Sequence, residues 1–97
     1  MYGTIARLHP SPGSEEALAA NGRRYRDLAV PGFRGSWVFR PDQQPYDRST
    51  LFLVAMFDDE ASYRANADSP DQHERYLEMR ALLEDDPDWM DGTFEEG

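Results

Sequence analysis

The segment STLFLVAMF, Ser49 to Phe57, is the most apolar run in a chain that is otherwise strongly polar. In an extended strand, alternate side chains point to opposite faces of the sheet. One face of this segment carries Phe52, Val54 and Met56, and the other carries Leu51, Leu53, Ala55 and Phe57. Both sets are apolar, which is typical of a central strand covered on both faces. The run is also too short to cross a bilayer as a helix.

The charge balance of the whole chain excludes several classes of partner. The chain has ten Lys and Arg residues and 19 Asp and Glu residues, which gives a formal net charge of −9. Long-range attraction to nucleic acid or to an anionic membrane is therefore disfavoured. The 97 residues contain no cysteine, which excludes disulfides and thiolate metal sites. The N-terminus lacks the pattern of a signal peptide, so we expect a cytoplasmic protein.

Turn signals and periodicity divide the remainder of the chain into strands, helices and loops. We predict four strands, over Tyr2–His9, Phe33–Arg40, Ser49–Phe57 and Trp89–Glu95, with a polar loop over Pro41–Arg48. Strand alternation predicts that Phe33, Gly35, Trp37 and Phe39 share one face.

Three helix starts are marked by residues that cap helices well. Ser14 precedes two glutamates and predicts an N-cap, and Asp58 or Asp59 predicts the start of a short second helix. Ser69-Pro70-Asp71-Gln72 predicts a capping box that opens a third helix, which carries apolar residues as far as Leu83. In the first helix, Gly22 interrupts the apolar stripe, and we interpret it as a close approach of helix to sheet.

This order of elements favours one α+β domain over residues 1–97. Two crossover units that share an antiparallel sheet give the ferredoxin-like split βαβ sandwich, in which the helices of both units lie on the same side of the sheet. The chain then has nothing left to cover the other face of the central strand. A second copy of the sheet is the economical cover, so we expect a homodimer with two-fold symmetry.

Three segments carry a resemblance to a known family. They are PGFRGSWVF (Pro31 to Phe39), LFLVAMFDDEASYRA (Leu51 to Ala65) and DSPDQHERY (Asp68 to Tyr76). The chain resembles the dimeric α/β-barrel superfamily, and within it the antibiotic-biosynthesis-monooxygenase-like domains. The resemblance implies a dimeric α/β barrel with a pocket between sheet and helices. It also implies oxidation of an aromatic, polyketide-like substrate by molecular oxygen, with neither metal nor flavin as a cofactor.

The same superfamily includes haem-degrading oxygenases, isomerases and members without known activity. The haem-degrading branch uses an Asn, a Trp and a His at positions that here correspond to Ala6, Asn66 and Tyr76. All three differ, so the resemblance disfavours haem degradation. The Asn and Trp of the characterised monooxygenases have no evident counterpart either, which keeps a non-catalytic role open.

Candidate chemistry centres on His73, which lies one helical turn before Tyr76. An imidazole there is a candidate general base at a pocket wall, whereas the alternative is a solvated His near a helix N-terminus. Tyr63, Asn66 and Tyr76 are candidate ligand-positioning groups, because phenol and amide groups orient ligands in apolar pockets. Trp37 is a further candidate for substrate binding, although core or dimer interface is its alternative role.

Two hypotheses about function follow. The first is a cofactor-independent monooxygenase that acts on a small aromatic metabolite, polyketide- or quinol-like, with His73 as the proton acceptor. The second is a non-catalytic, small-ligand-binding or stress-related dimer of the same fold. Two histidines without ligand spacing predict no metal site.

Overall fold

The computed structural model describes residues 1–26, 28–43 and 49–97, apart from the side chain of Tyr25. In chain order the elements are β1 (Tyr2–Leu8), α1 (Glu15–Arg26), β2 (Phe33–Phe39), β3 (Leu51–Phe57), α2 (Glu60–Ala67), α3 (Pro70–Arg80) and β4 (Asp88–Thr93). No helix in these ranges is long and apolar enough to cross a membrane. Part of the predicted Pro41–Arg48 loop, residues 44–48, lies outside the described residues.

The strands form one antiparallel sheet in the order β2-β3-β1-β4. This is the predicted α+β, ferredoxin-like arrangement, and β3 is an inner strand, as its two apolar faces indicated. Leu53 of β3 lies opposite Ala6 of β1 on one side and Val38 of β2 on the other.

The core lies between the sheet and the helices. Ala6, Leu8 and Leu51 of the sheet are almost completely buried against Met79 of α3 and Leu83 beyond it. The half-buried Leu18 of α1 packs against the same cluster. Burial of such side chains contributes roughly 1.5–3 kcal/mol each. All the helices therefore cover one and the same face of the sheet.

The opposite face of the sheet is apolar and uncovered by the described residues. We call it the open face. Trp37, Phe39 and Met90 are 53%, 60% and 64% exposed there. Val54 and Met56 of β3 occupy its centre, half-buried by their neighbours. Within residues 1–26, 28–43 and 49–97, only one face of β3 is covered, as expected.

The prediction that Phe33 shares a face with Trp37 and Phe39 is wrong, because β2 contains a bulge. Phe33 lies opposite Phe57 and Gly35 lies opposite Met56, so one extra residue is inserted between them. Gly35 takes a φ of +148°, a conformation that favours glycine. The Phe33 ring therefore packs edge-on against Phe57 on the helix side, with ring centroids 5.4 Å apart.

The predicted helix starts are found, with two differences in their hydrogen bonds. Asp59 caps α2 in a complete capping box with Ser62. The Ser69 hydroxyl accepts from the Gln72 backbone N–H at 3.1 Å, but the Gln72 side chain bonds elsewhere, so this box is half formed. Ser14 precedes α1, but its hydroxyl is directed at the carbonyls of Ser11, at 2.7 Å, and Leu82, at 2.8 Å, and does not cap the helix.

Two further expectations about the helices are corrected. α3 ends at Arg80, earlier than predicted, because Leu83 forms an isolated β-bridge with Pro10. Gly22 does not mark a close approach of helix to sheet, since a Cβ built on it meets no atom within 4 Å. It faces open space above the sheet.

Candidate ligand-binding cleft

A cleft of about 430 Å³ lies between the sheet and the three helices. Its floor is apolar and comes mainly from β3, through Leu53, Ala55 and Phe57. The helices form its walls, and Gly22 of α1 leaves space where a side chain would project. A second groove of about 330 Å³ adjoins it beside α1 and β2. A largely apolar concavity of this size suits a small organic ligand.

Four of the five predicted site residues line this cleft together. Tyr63 and Asn66 come from α2, and His73 and Tyr76 come from α3. The two capped helix starts bring them together, because Asp59 and Ser69 fix where each helix begins. Trp37 is not part of the cleft; its indole lies on the open face, and the residue borders the adjoining groove.

His73 occupies an exposed position on the cleft wall, one turn into α3. Its backbone N–H donates to the Ser69 carbonyl at 3.2 Å, as expected in a first helical turn. Its imidazole has no hydrogen-bond partner among the described residues. A ligand in the cleft is therefore the group that would orient the ring.

A network of amides positions the Arg75 guanidinium at the wall formed by α3. Gln72 Oε1 accepts from Arg75 Nε at 3.3 Å and from Nη2 at 3.2 Å. Asn66 Oδ1 accepts from the same Nη2 at 3.4 Å, and its Nδ2 lies 3.4 Å from Gln72 Oε1. These bonds join α2 to α3 and place a positive charge beside the predicted ligand groups.

A second polar network lines the cleft where α2 meets β4. The Tyr63 hydroxyl donates to Asp91 Oδ1 at 2.7 Å, and Arg64 Nη1 donates to Oδ2 at 3.2 Å. The Arg64 guanidinium also lies over the Tyr63 and Tyr2 rings, 5.4 and 5.7 Å from their centroids. Burial, and next the hydrogen bond to Asp91, raise the pKa of Tyr63 to about 12. Tyr63 is consequently a protonated phenol at neutral pH and cannot serve as a base.

Reasoning from the sequence missed several cleft residues, among them Arg64 and Arg75 of the helices and two side chains of β4. Trp89 and Asp91 line the cleft, and the Trp89 ring lies 6.3 Å from that of Tyr76. Strand alternation predicts that residues 89 and 91 share one face of the sheet. Whether that face is covered by the helices depends on the register of β4 on β1, which the sequence does not give.

The second histidine of the chain lies apart from the cleft. His9 Nδ1 lies 3.0 Å from Asp85 Oδ1, outside the cleft. In residues 1–26, 28–43 and 49–97, no group of three or more His, Asp or Glu side chains could hold a metal ion.

Comparison with models of protein families identifies the family of this chain. The model named antibiotic biosynthesis monooxygenase matches residues 1–78, which include β1 to β3, α1, α2 and most of α3. The chain belongs to the antibiotic biosynthesis monooxygenase family. A comparison with curated proteins found no match. Trp89 and Asp91 lie beyond the residues that the family model matches.

Solved structures share the fold of this family member at low sequence identity. SnoaB, a cofactor-independent oxygenase from Streptomyces nogalater, has a TM-score of 0.75 at 17% identity, over 99% of this chain and 94% of its own. A protein from Bordetella bronchiseptica, named for the same family, reaches 0.78 at 17% identity over 98% and 97%. A protein from Methanosarcina mazei reaches 0.75 at 14% identity over 97% and 92%.

Proposed function

We propose that this protein is a cofactor-independent monooxygenase that oxidises a small aromatic metabolite, polyketide- or quinol-like, in the cleft. The observation that supports it is the cleft itself, since His73, Tyr63, Asn66 and Tyr76 line one apolar cavity of about 430 Å³. Membership of a family named for monooxygenation supports the reaction type. SnoaB, which is named as a cofactor-independent oxygenase, shares the fold of this chain, and this likeness is consistent with the proposed chemistry.

The reaction balances without an external reductant when the substrate carries an activated ring methylene group. Two C–H bonds are replaced by a C=O bond, one atom of O₂ becomes the carbonyl oxygen, and the other leaves as water with the two hydrogens. The electrons that reduce O₂ come from the two broken C–H bonds. The protein then has to bind the ring, take up a proton and stabilise the anion that reacts with oxygen.

The residues of the cleft divide these tasks. His73 takes the proton from the substrate, because an imidazole is the side chain that most often serves as a general base and this one lines the cleft. Asn66 and Tyr76 position the ring and its oxygen substituents, and Tyr63 contributes a phenol that stays protonated. The Arg75 guanidinium, held by Asn66 and Gln72, lines the cleft and supplies a positive charge that would stabilise an enolate or phenolate.

The working unit that we propose is a homodimer that packs two open faces together as a dimeric α/β barrel. Trp37, Phe39 and Met90 are each more than half exposed in the single chain, and together with Val54 and Met56 they form a continuous apolar surface. Apolar surfaces of this kind mark interfaces. Trp37 then belongs to the subunit contact and takes no direct part in substrate binding.

Oxygen consumption tests the proposal. A dihydroxyaromatic compound with a ring methylene, such as 1,8-dihydroxyanthrone, should consume oxygen faster with the protein than in buffer alone. His73→Ala should lower turnover by roughly 10²–10⁴-fold, the usual contribution of a general base. Glu74→Ala, a neighbouring exposed residue on α3, is the matched control and should retain turnover. Wild-type turnover in a folded His73→Ala variant would remove His73 from the mechanism.

One observation favours the alternative, a non-catalytic ligand-binding dimer. The His73 imidazole has no partner within the described part of the chain to fix its orientation, whereas a catalytic base is usually oriented by a third group. A compound that raises the melting temperature without oxygen uptake would identify a binding protein.

A further inference from the structure

The strand β4 forms one side of the cleft although it lies beyond the segment that the family model matches. Trp89 pairs with Ala6 and Asp91 pairs with Thr4, in register with β1. Ala6 and Thr4 are buried beneath the helices, so residues 89 and 91 are on the helix side of the sheet. The family match therefore assigns no role to the two β4 side chains that line the cleft.

Trp89 offers a large aromatic surface to a ligand. It is 44% exposed although it lines a concave, mainly apolar site. The planes of the Trp89 and Tyr76 rings are inclined at 46°, with centroids 6.3 Å apart, so neither ring stacks flat on the other. A planar ligand in the cleft would remove indole surface from water and gain an aromatic contact.

Asp91 and Tyr63 offer hydrogen-bond acceptors beside that indole. The single hydroxyl hydrogen of Tyr63 points to Asp91 Oδ1, at 2.7 Å, so towards other groups the phenol oxygen is an acceptor, and the Thr4 hydroxyl lies beside it. Arg64 is shared between Asp91, Glu60 and the Tyr2 hydroxyl, at 3.2, 3.4 and 3.0 Å. The Asp91–Tyr63 pair is thus complementary to a hydrogen-bond donor on the ligand, such as a hydroxyl group.

We propose that β4 determines the ligand specificity of the cleft. Trp89 takes the face of a planar aromatic ring, and the Asp91–Tyr63 pair accepts a hydrogen bond from a hydroxyl group on that ring. The inference rests on the proposed use of the cleft as the ligand site, but it concerns binding and does not require turnover. It orients the ligand with its hydroxyl towards Asp91 of β4 and Tyr63 of α2.

Isothermal titration calorimetry with two matched probes tests the hydrogen bond. The probes are 2-naphthol, which can donate, and 2-methoxynaphthalene, which cannot. Wild-type protein should bind 2-naphthol about tenfold more tightly, the usual value of a hydrogen bond to a charged group. Asp91→Asn should reduce this preference several-fold. Asp88→Asn removes the same charge from the open-face side of β4, where Asp88 pairs with Arg7, and should keep the preference.

Trp89 variants test the ring contact with the same probes. Trp89→Leu should weaken both probes about equally, by roughly tenfold, without a change in the preference for 2-naphthol. Trp89→Phe keeps an aromatic face and should recover most of the affinity. Circular dichroism should show that each variant is folded.

Three results would overturn the inference: no binding of either probe to wild-type protein, equal affinities for the two, or a preference that Asp91→Asn and Asp88→Asn alter alike. Unchanged affinity in Trp89→Leu would remove the ring contact. Oxygen uptake is measured separately. Selective binding without oxygen uptake would contradict the proposed oxygenase activity and support the role of β4 in specificity. Oxygen uptake without selective binding would support the oxygenase activity and contradict the role of β4.

Discussion

The Tyr63 hydroxyl of α2 donates a hydrogen bond of 2.7 Å to Asp91 of β4. The next residue of the same helix, Arg64, contacts the other carboxylate oxygen at 3.2 Å. α2 is therefore tied to the edge of the sheet by two adjacent side chains, and polar groups line the cleft where α2 meets β4. Ionisation of Tyr63 would break this hydrogen bond, because loss of the phenol proton would place two negative oxygens side by side.

Alkaline pH should break this contact. The pKa of Tyr63 is raised from 10.0 to about 12 in the folded protein, first by burial and next by Asp91. A folded-state pKa above the unfolded value stabilises the fold fully below pH 10, and that stabilisation is lost as the pH rises to about 12. Urea unfolding should therefore show a steeper fall in stability over this range for wild-type protein than for Tyr63→Phe.

Phenolate absorbance provides a second readout of the same titration. Tyr63 should titrate late in wild-type protein, and Tyr63→Phe should lack that late component. Tyr76→Phe, which alters another cleft phenol, should keep it. A late component that persists in Tyr63→Phe would show that another tyrosine is the perturbed one.

Gly22 should be replaceable by alanine with a gain in stability. It lies inside α1, and a Cβ at this position meets no atom within 4 Å. Gly22→Ala should stabilise the protein by about 1 kcal/mol, which raises the melting temperature by about 4–8 °C in a domain of this size. A lower melting temperature would mean that the space above Gly22 is occupied in solution.

A larger side chain at the same position should block the cleft without unfolding the protein. Gly22→Leu projects into the cavity that both grooves share, so ligand binding and any oxygen uptake should fall sharply. Ala17→Leu, on the exposed side of α1, is the matched control and should bind ligand normally. Normal binding by a folded Gly22→Leu variant would place the ligand elsewhere.

Removal of the α3 cap should destabilise the wall that carries His73. The Ser69 hydroxyl accepts from the Gln72 N–H at 3.1 Å, and Ser69→Ala leaves that donor without its partner. The expected loss is about 1 kcal/mol, or about 4–8 °C in melting temperature. Ser69→Asp supplies another capping oxygen and should remain close to wild type. Equal melting temperatures for the alanine and aspartate variants would contradict a capping role.

Two adjacent residues of β2 provide a test of assembly. Phe39 is 60% exposed on the open face, whereas Val38 is 54% exposed on the helix side. Phe39→Glu should place a charge in the proposed subunit contact and weaken the dimer at least ~100-fold, to a monomer by sedimentation velocity. Val38→Glu should remain a dimer. A wild-type protein that sediments as a monomer at micromolar concentration would contradict the proposed assembly.

Much of the fold could be predicted because the local signals agree with the packing. The two apolar faces of Leu51–Phe57 required an inner strand, and Asp59 and Ser69 cap their helices as their side chains predict. The bulge in β2 could not be predicted. Arg34 and Gly35 fit a regular strand as well as an irregular one, and only pairing with Phe57 and Met56 determines the register.

The candidate site was predicted in part, for a related reason. Tyr63, Asn66, His73 and Tyr76 lie on two helices whose starts are marked in the sequence, so their common location followed from the fold. Trp89 was assigned to a strand but not to a face. Asp91 carries a charge that resembles the many exposed acids of this chain, and its contacts to Tyr63 and Arg64 join segments distant in sequence.

The floor of the cleft and the open face are the two sides of a single backbone layer. Along β3, Leu53 and Ala55 face the cleft while Val54 and Met56 face outward. A ligand that alters the twist of this layer must alter its reverse side as well, because strands are one residue thick. In the proposed dimer, occupancy of the cavity and self-association would be thermodynamically linked, and dilution of the protein would then change its apparent affinity for ligand.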